Sequence, residues 1–257
     1  MNKKGFSKNL LGYEMRNLVG NPAVFFFGVI FPLLMSILFA NAFAGDIPAS
    51  EQTDFRTSIF LTMMMIIPMA TMFIGYAAIY SQELENNIPL RLDLFGINKR
   101  AVLTSKLLAN LVFLLAATGI YFAVDVPLIK IHTPSFGAVL LVIFIVLILG
   151  GILLVLSHSI ASLIGKFGPT YAVTMILYFG FMIMCGMMGL QVSQFPPFLQ
   201  TAAKLLPMTY MSTSGDFLTV WKGGSYNPTR FIMSFVFLAV VALALFFISV
   251  WKNRRTK

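Results

Sequence analysis

Few residues in this 257-residue chain are of a type that could do chemistry where they stand. Asp125 and His158 fall inside long apolar runs, and ionisable groups at bilayer depth are the usual marks of proton or ion relays. Asp125 lies near the end of its run beside Pro127, where it could face water, and both a structural and a transport role stay open for it. His158, between Ser157 and Ser159, reads first as a helix-packing hydrogen bond. A relay would want deeper, paired ionisable residues. The stretch FMIMCGMMG offers thioethers and a thiol, ligands that suit Cu(I). Met182, Met184, Cys185, Met187 and Met188 do not share one helical face, and Met is a flexible apolar filler, so we expect no metal site. A single cysteine excludes an internal disulfide and any cysteine-based metal cluster. No triad or paired carboxylates occur, so no catalytic residue is assigned. The chain has no G-x-x-x-x-G-K-[ST]; the glycine pair in WKGGSYNPT lacks the following lysine.

The charges concentrate instead in the segment YSQELENNIPLRLDLFGINKRAVLTSK, from Tyr80 to Lys106, between two apolar runs. Pro89 cannot sit inside a helix continuing from the preceding run. Asn86 or Asn87 can cap a new helix with Pro89 in its first turn, Gly96 fits as a stop, and Asn98 can cap the next helix. The spacing predicts a short helix over 88–95 on which Ile88, Leu92 and Phe95 share a face. Leu84 extends the row if the helical direction persists. Glu83, Glu85, Arg91 and Asp93 rim this apolar knob. It suits docking to a protein groove or lying flat on lipid headgroups, and spacing alone leaves both open. Near the amino terminus, KNLLGYEMRNLVGNP sets Leu10, Leu11 and Leu18 among charges. Asn21 then caps a helix with Pro22 at its first position. We read an interfacial amphipathic helix followed by a sharp turn into the membrane.

The elements that position these residues are set by composition. The chain is 58% hydrophobic, its mean hydropathy is +0.88 and only 11% of residues are charged, against about 25% in soluble domains. The bilayer must be the solvent for much of that surface, and an all-α integral membrane protein with six transmembrane helices is expected. A core of about 30 Å needs about 20 apolar residues per helix, and such runs occupy roughly 23–43, 57–80, 105–128, 136–158, 169–190 and 230–250. Barrel strands would alternate over about ten residues, which these runs do not. The small-residue pairs in FANAFAGD resemble a signal cleavage site, but the run is longer than a signal core.

The net charge of +9 would point to nucleic acid in a soluble protein. Here thirteen of the eighteen Lys and Arg residues fall on one side of the six-span arrangement and five on the other, so membrane topology accounts for the bias and no nucleic-acid partner is expected. The positive-inside rule makes both termini and the 81–104 insert cytoplasmic. Asp46, Glu51 and Asp54 then fall outside, with the segment 191–229. That segment, FPPFLQTAAKLLPMTYMSTSGDFLTVW within it, is too long for a turn and too broken by Pro196, Pro197 and Pro207 to span. One or two short helices at the outer interface are expected, re-entering it, with Trp221 and Tyr226 as belt residues. Pro32 and Pro68 should kink the first two spans.

These pieces together resemble a family. Glu83-Leu84-Glu85, the short helix through Leu90 to Phe95, then Lys99-Arg100 and Leu103 to Leu111 leading into the third span are similar to the permease subunits of ATP-binding-cassette exporters, the ABC-2 membrane domain. Tyr13, Glu14, Arg16, Asn17, Asn21 and Pro22 look like that family's connecting helix, and Leu205-Leu206-Pro207-Met208-Thr209-Tyr210 also matches. Asn86-Asn87-Ile88-Pro89 departs from the usual Gly-Thr-Leu after the acidic pair, and Gly96-Ile97 from the usual proline. The resemblance implies a connecting helix over 1–22, a six-helix domain over 23–250 and a basic tail over 251–257. It implies two permease subunits, homo- or heterodimeric, in a bacterial-type plasma membrane. A separate cytoplasmic ATPase subunit would bind ATP and Mg, leaving no cofactor in this chain. Glu83, Glu85, Ile88, Arg91, Leu92, Phe95 and Arg100 would form the contact coupled to that ATPase, and the insert would carry its motion to the spans. Peptide, drug-like or lipid-like cargo is the expected class. An ion-coupled secondary transporter and a non-transporting scaffold or immunity protein are the alternatives.

Overall fold

The computed structural model describes residues 5–189, 191–212 and 216–255. Lys3, Lys4 and Lys257 of the charge count lie outside the described residues. Among those described, 82% of the structure is helical and there is no strand. Helix α1 spans Lys8–Val19. The six helices long and apolar enough to cross a membrane are α2 (Pro22–Ala42), α3 (Gln52–Glu85), α5 (Lys99–Ile129), α6 (Phe136–Ile164), α7 (Phe167–Met184) and α11 (Thr229–Arg255). Between them lie the short helix α4 (Ile88–Leu94) and, before α11, α8 (Pro197–Ala203), α9 (Pro207–Ser212) and α10 (Asp216–Trp221). The helices outrun the apolar stretches because their polar ends stay helical: α3, at 34 residues, is about 50 Å long at about 1.5 Å per residue. Helix α7 instead stops early. Gly186, with φ at 74°, lets Met187 N–H reach Met182 O at 2.9 Å and Gly186 N–H reach Ile183 O at 3.0 Å, a Schellman ending.

The second span, α3, is the axle. Its most apolar stretch is 89% buried, whereas that of the other five spans is 22–44% buried. Phe60, Met63, Met64, Ile66, Ile67 and Phe73 of α3 are enclosed by α2, α5, α6, α7 and α9, and α11 packs on α6. Outward faces of the peripheral spans are aliphatic and aromatic, as a lipid-facing surface requires. Hydrogen bonds fix which helix ends lie together. Lys106 at the start of α5 meets Glu14 of α1 and Glu83 near the end of α3. Glu85 meets Phe167 at the start of α7, and Lys252 near the end of α11 meets Leu163 of α6. Helix α1, the end of α11 and the end of α3 that leads into α4 therefore share one end of the bundle, here the terminal end.

Both proline positions are buried inside the bundle. Each removes a backbone donor and crowds the carbonyl four residues earlier. In α2 the helix widens ahead of Pro32, with Phe26–Ile30 π-helical; in α3 the chain makes a turn at Met65 ahead of Pro68, and a second π-helical stretch, Met69–Gly75, follows the proline. The two widened segments touch. A Cβ added at Gly28 would lie 2.5 Å from Thr71 Cγ2, and Thr71 is held by its hydroxyl donating to Ile67 O at 2.8 Å. Gly28→Val is expected to cost about 1–3 kcal/mol through overpacking, read as a lower thermal midpoint in detergent. Gly119→Ala, where the added Cβ meets nothing within 4 Å, should leave the midpoint unchanged.

The far end of the bundle is closed by three short helices and a 3-10 turn over Val192–Gln194, more than the one or two expected. Trp221 is no belt residue. It is fully buried, its ring 5.7 Å from Phe60, and its Nε1 donates to His132 O at 2.9 Å. The indole is drawn inward because Asp54 pins the following residue. Lys222 Nζ donates to both carboxylate oxygens of Asp54 at 2.9 Å, and His132 pairs with the same carboxylate. Thr62 Oγ1 donates to Ser212 O at 2.9 Å, tying α9 to α3. The roof thus grips the second span at two heights.

Candidate functional site

Helix α1 starts at Ser7, whose hydroxyl accepts from Leu10 N–H at 3.3 Å. Its buried stripe is Leu10, Glu14 and Leu18, spaced by four. A glutamate in the middle of an apolar stripe needs a partner, and α5 supplies it. Lys106 Nζ donates to Glu14 Oε2 at 2.8 Å and to Glu83 Oε1 at 2.6 Å. The three side chains are exposed by only 3%, 3% and 7%. One ammonium thus holds two carboxylates from different elements in a dry junction, and α1, the second span and the third span meet on it. One turn along α5, Asn110 Nδ2 donates to Lys106 O at 2.8 Å. Tyr76 lines the same seam and hydrogen-bonds His158 Nδ1 at 2.9 Å, while Tyr80 stacks on the imidazole at 4.6 Å. His158 therefore packs α3 against α6, as the plain reading of its position has it.

Beyond this junction the chain turns into α4. Asn86 and Asn87 were candidate caps, but Asn87 makes no side-chain cap bond and instead adopts the left-handed conformation, φ 54°. That turn breaks the helical direction of α3 and rotates α4. Ile88 and Leu92 are half-buried against the bundle, so of the face expected from Ile88, Leu92 and Phe95 it is Phe95 that is displayed. Leu90, Leu94 and Phe95 are exposed at 55%, 74% and 79%, with Arg91 exposed beside them. Glu83 is likewise not on the rim, because Lys106 has drawn it inside. Helix α4 ends at Gly96, and Asn98 accepts from Arg100 N–H at 2.9 Å to open α5, both as expected. Lys99 pairs with Asp93 at 3.6 Å, and Arg100 is exposed.

Glu85 leaves the knob in another direction. Its Oε2 accepts Phe167 N–H at 2.8 Å, the first residue of α7. On the amino-terminal side, Asn21 Oδ1 accepts from Ala23 and Val24 N–H at 3.1 and 3.3 Å with Pro22 at the helix start, the expected entry into the first span. Tyr13 and Arg16 are exposed and, with Asn17, Gln82, Asn86 and Ile88, line an open cleft of 480 Å³ between α1 and the start of α4. A second, more apolar groove of 230 Å³ lies between α2, α3 and α7, walled by Val24, Phe27, Ala70, Ile74, Phe167 and Tyr171. Asn21 and Gln82 border both.

Asp125 and Cys185 lie inside the protein. Asp125 does not face water. It is fully buried beside Ser36 and Tyr121, whose phenol donates to Ser36 Oγ at 3.0 Å and to Phe60 O at 2.9 Å. Cys185 is buried and accepts from Thr209 Oγ1 at 3.3 Å. Among the described residues no three His, Cys, Asp or Glu side chains come together as metal ligands. The sequence marks Lys106 only as one of the topological charges. The signal for it was Glu14 on the Leu10–Leu18 stripe, which required a cation nearby.

A family model described as ABC-2 type transporter matches residues 8–215, from the start of α1 into the roof. No curated protein matches the chain at comparable significance. The match covers α1, the junction on Lys106, α4 and the first five spans, so the chain belongs to the ABC-2 type transporter family, as a multi-pass membrane permease component.

Proposed function

We propose that this chain is the permease of an ATP-driven exporter in a bacterial-type plasma membrane, working as one of a pair and driven by a separate cytoplasmic ATPase. The observation that carries this is α4: three large apolar side chains are exposed at the terminal end, on the helix that follows Glu83 of a buried ion-pair junction shared by three elements. An exposed apolar patch rimmed by charged residues marks an interaction surface, and the buried ion pairs tie the helix before it to α1 and α5. The excess of Lys and Arg at that end makes it the cytoplasmic one. The ATPase would seat on Leu90, Leu94 and Phe95, with Arg91 and Arg100 at the edge, and would bind the ATP and Mg for which this sequence has no loop. Residues 1–22 act as the connecting helix and 81–104 as the driven insert.

The groove between α2, α3 and α7 supports the choice of cargo. Its walls are aromatic and aliphatic, Phe167 stacks on Tyr171 at 5.6 Å, and two amides sit at its mouth. An amphipathic molecule with an apolar body and a polar head fits it, as in lipid-like, drug-like or hydrophobic-peptide cargo. A second copy facing the groove would close the path.

Cells carrying the chain with its ATPase, loaded with a fluorescent amphipathic dye, separate this from ion coupling. Efflux above the level of cells lacking the chain should collapse on ATP depletion and survive a protonophore. Efflux that survives ATP depletion and collapses with the proton gradient would contradict the reading.

A further inference from the structure

Glu85 is the last residue of α3, yet it caps a helix 82 residues away. Helix α7 begins without an acceptor of its own. Lys166 occupies its N-cap position and makes no side-chain cap bond, and Pro169 in the first turn has no N–H. One free donor, Phe167 N–H, and the positive end of the helix dipole are met by the carboxylate of Glu85 at 2.8 Å. The same tight connection is held from its other side: Lys252 Nζ donates at 3.0 Å to Leu163 O, near the negative end of α6. Only Gly165 and Lys166 separate α6 from α7, so little slack is available there. Glu85 also immediately precedes Asn86 and the left-handed Asn87 that turn the chain into α4. A displacement of α4 therefore pulls first on the residue that holds α7. Phe167, whose N–H is held, and Tyr171 one turn on are both walls of the 230 Å³ groove.

We propose that Glu85 is a positioning residue for transport: a carboxylate strut through which movement of the insert shifts the start of the fifth span and with it one wall of the groove. This assigns Glu85 to a contact within the chain instead of the ATPase surface, and it rests on the reading of α4 as the driven element. It also separates the paired acids of Glu83-Leu84-Glu85 by task, since Glu83 locks α3 to α1 and α5 while Glu85 links α3 to α7.

The test uses the full chain with its co-purified ATPase in phosphatidylethanolamine–phosphatidylglycerol nanodiscs. Spin labels at Asn9→Cys on α1 and Gly168→Cys on α7, in a Cys185→Ser background, report the distance between the two helices. With Glu85 intact, ATP plus vanadate should change that distance. Glu85→Ala should keep the ATPase bound and hydrolysing but lose the change, and Glu85→Gln, which keeps an acceptor oxygen without the charge, should retain it in reduced form. Adding Lys166→Asp to Glu85→Ala gives α7 a local cap. That double variant should recover thermal stability and not the distance change. Recovery of the distance change by the local cap would reduce Glu85 to a stabilising residue and overturn the proposal, as would an undiminished change in Glu85→Ala. Loss of the ATPase from Glu85→Ala would return Glu85 to the docking surface. Failure of the transporter reading looks different: the chain with Glu85 intact then shows no ATP-dependent change, and the strut falls with it.

Discussion

Lys106→Met should be the most damaging single substitution at the terminal end. It leaves Glu14 and Glu83 facing each other in a buried junction, each having lost the counter-ion it holds there. Removing one partner of a buried ion pair costs about 3–5 kcal/mol, because the remaining charge is left uncompensated. Two carboxylates left together make it worse, and one of them must take a proton. The side chain of Met is close to Lys in length and adds no cavity, so the loss is electrostatic. The expected result is a sharply lowered thermal midpoint in detergent, with α1 released to protease. Adding Glu14→Gln and Glu83→Gln should restore much of the midpoint, since a neutral hydrogen-bonded cluster no longer holds an unpaired charge. A Lys106→Met protein as stable as the parent would mean that the three groups are not paired.

The second large effect is on α4. Leu94→Asp combined with Phe95→Asp places two carboxylates on the most exposed apolar side chains of the insert. Neither side chain packs into the bundle, so folding and membrane insertion should be nearly unchanged; surface changes away from packed features usually stay within about 0.5 kcal/mol. Binding is another matter. Buried anchors at the centre of an interface cost about 2 kcal/mol or more each when removed, and an uncompensated charge there adds desolvation. Two such losses correspond to about a thousandfold in affinity, enough to abolish ATPase co-purification and ATP-driven efflux together. Leu92→Asp is a poorer probe of the same surface, because Leu92 is half-buried and its carbonyl accepts Ile97 N–H at 3.0 Å. Its failure would mix docking with folding of the insert.

Much of the architecture could be read from the chain because lipid imposes a simple rule on it. Runs of about 20 apolar residues, the Asn21-Pro22 start, the Gly96 stop and the Asn98 cap are local signals, and the helices follow them. The early end of α7 was also written locally, in Gly186, but its apolar neighbours Met187 and Met188 disguised it. The orientation of α4 was not legible. It depends on one left-handed residue, Asn87, and a rotation of about half a turn exchanges Ile88 and Leu92 for Leu90 and Leu94. The ion-pair junction was half legible: Glu14 on an apolar stripe demanded a cation, but its partner lies 92 residues away and Glu83 another 23 from that partner. Trp221 shows the same limit, since an aromatic residue near a span end reads as a belt residue until Asp54, 168 residues from Lys222, is seen to hold the segment inward.

The central claim is that the exposed face of α4 is where an ATPase grips the permease. A photo-crosslinking amino acid at position 94, illuminated in intact cells expressing the chain and its transport partner, tests it most directly. The account predicts a covalent adduct with the ATPase subunit that disappears when Phe95→Asp is added. An adduct with phospholipid alone, or labelling at position 94 by a membrane-impermeant reagent applied outside the cell, would contradict it.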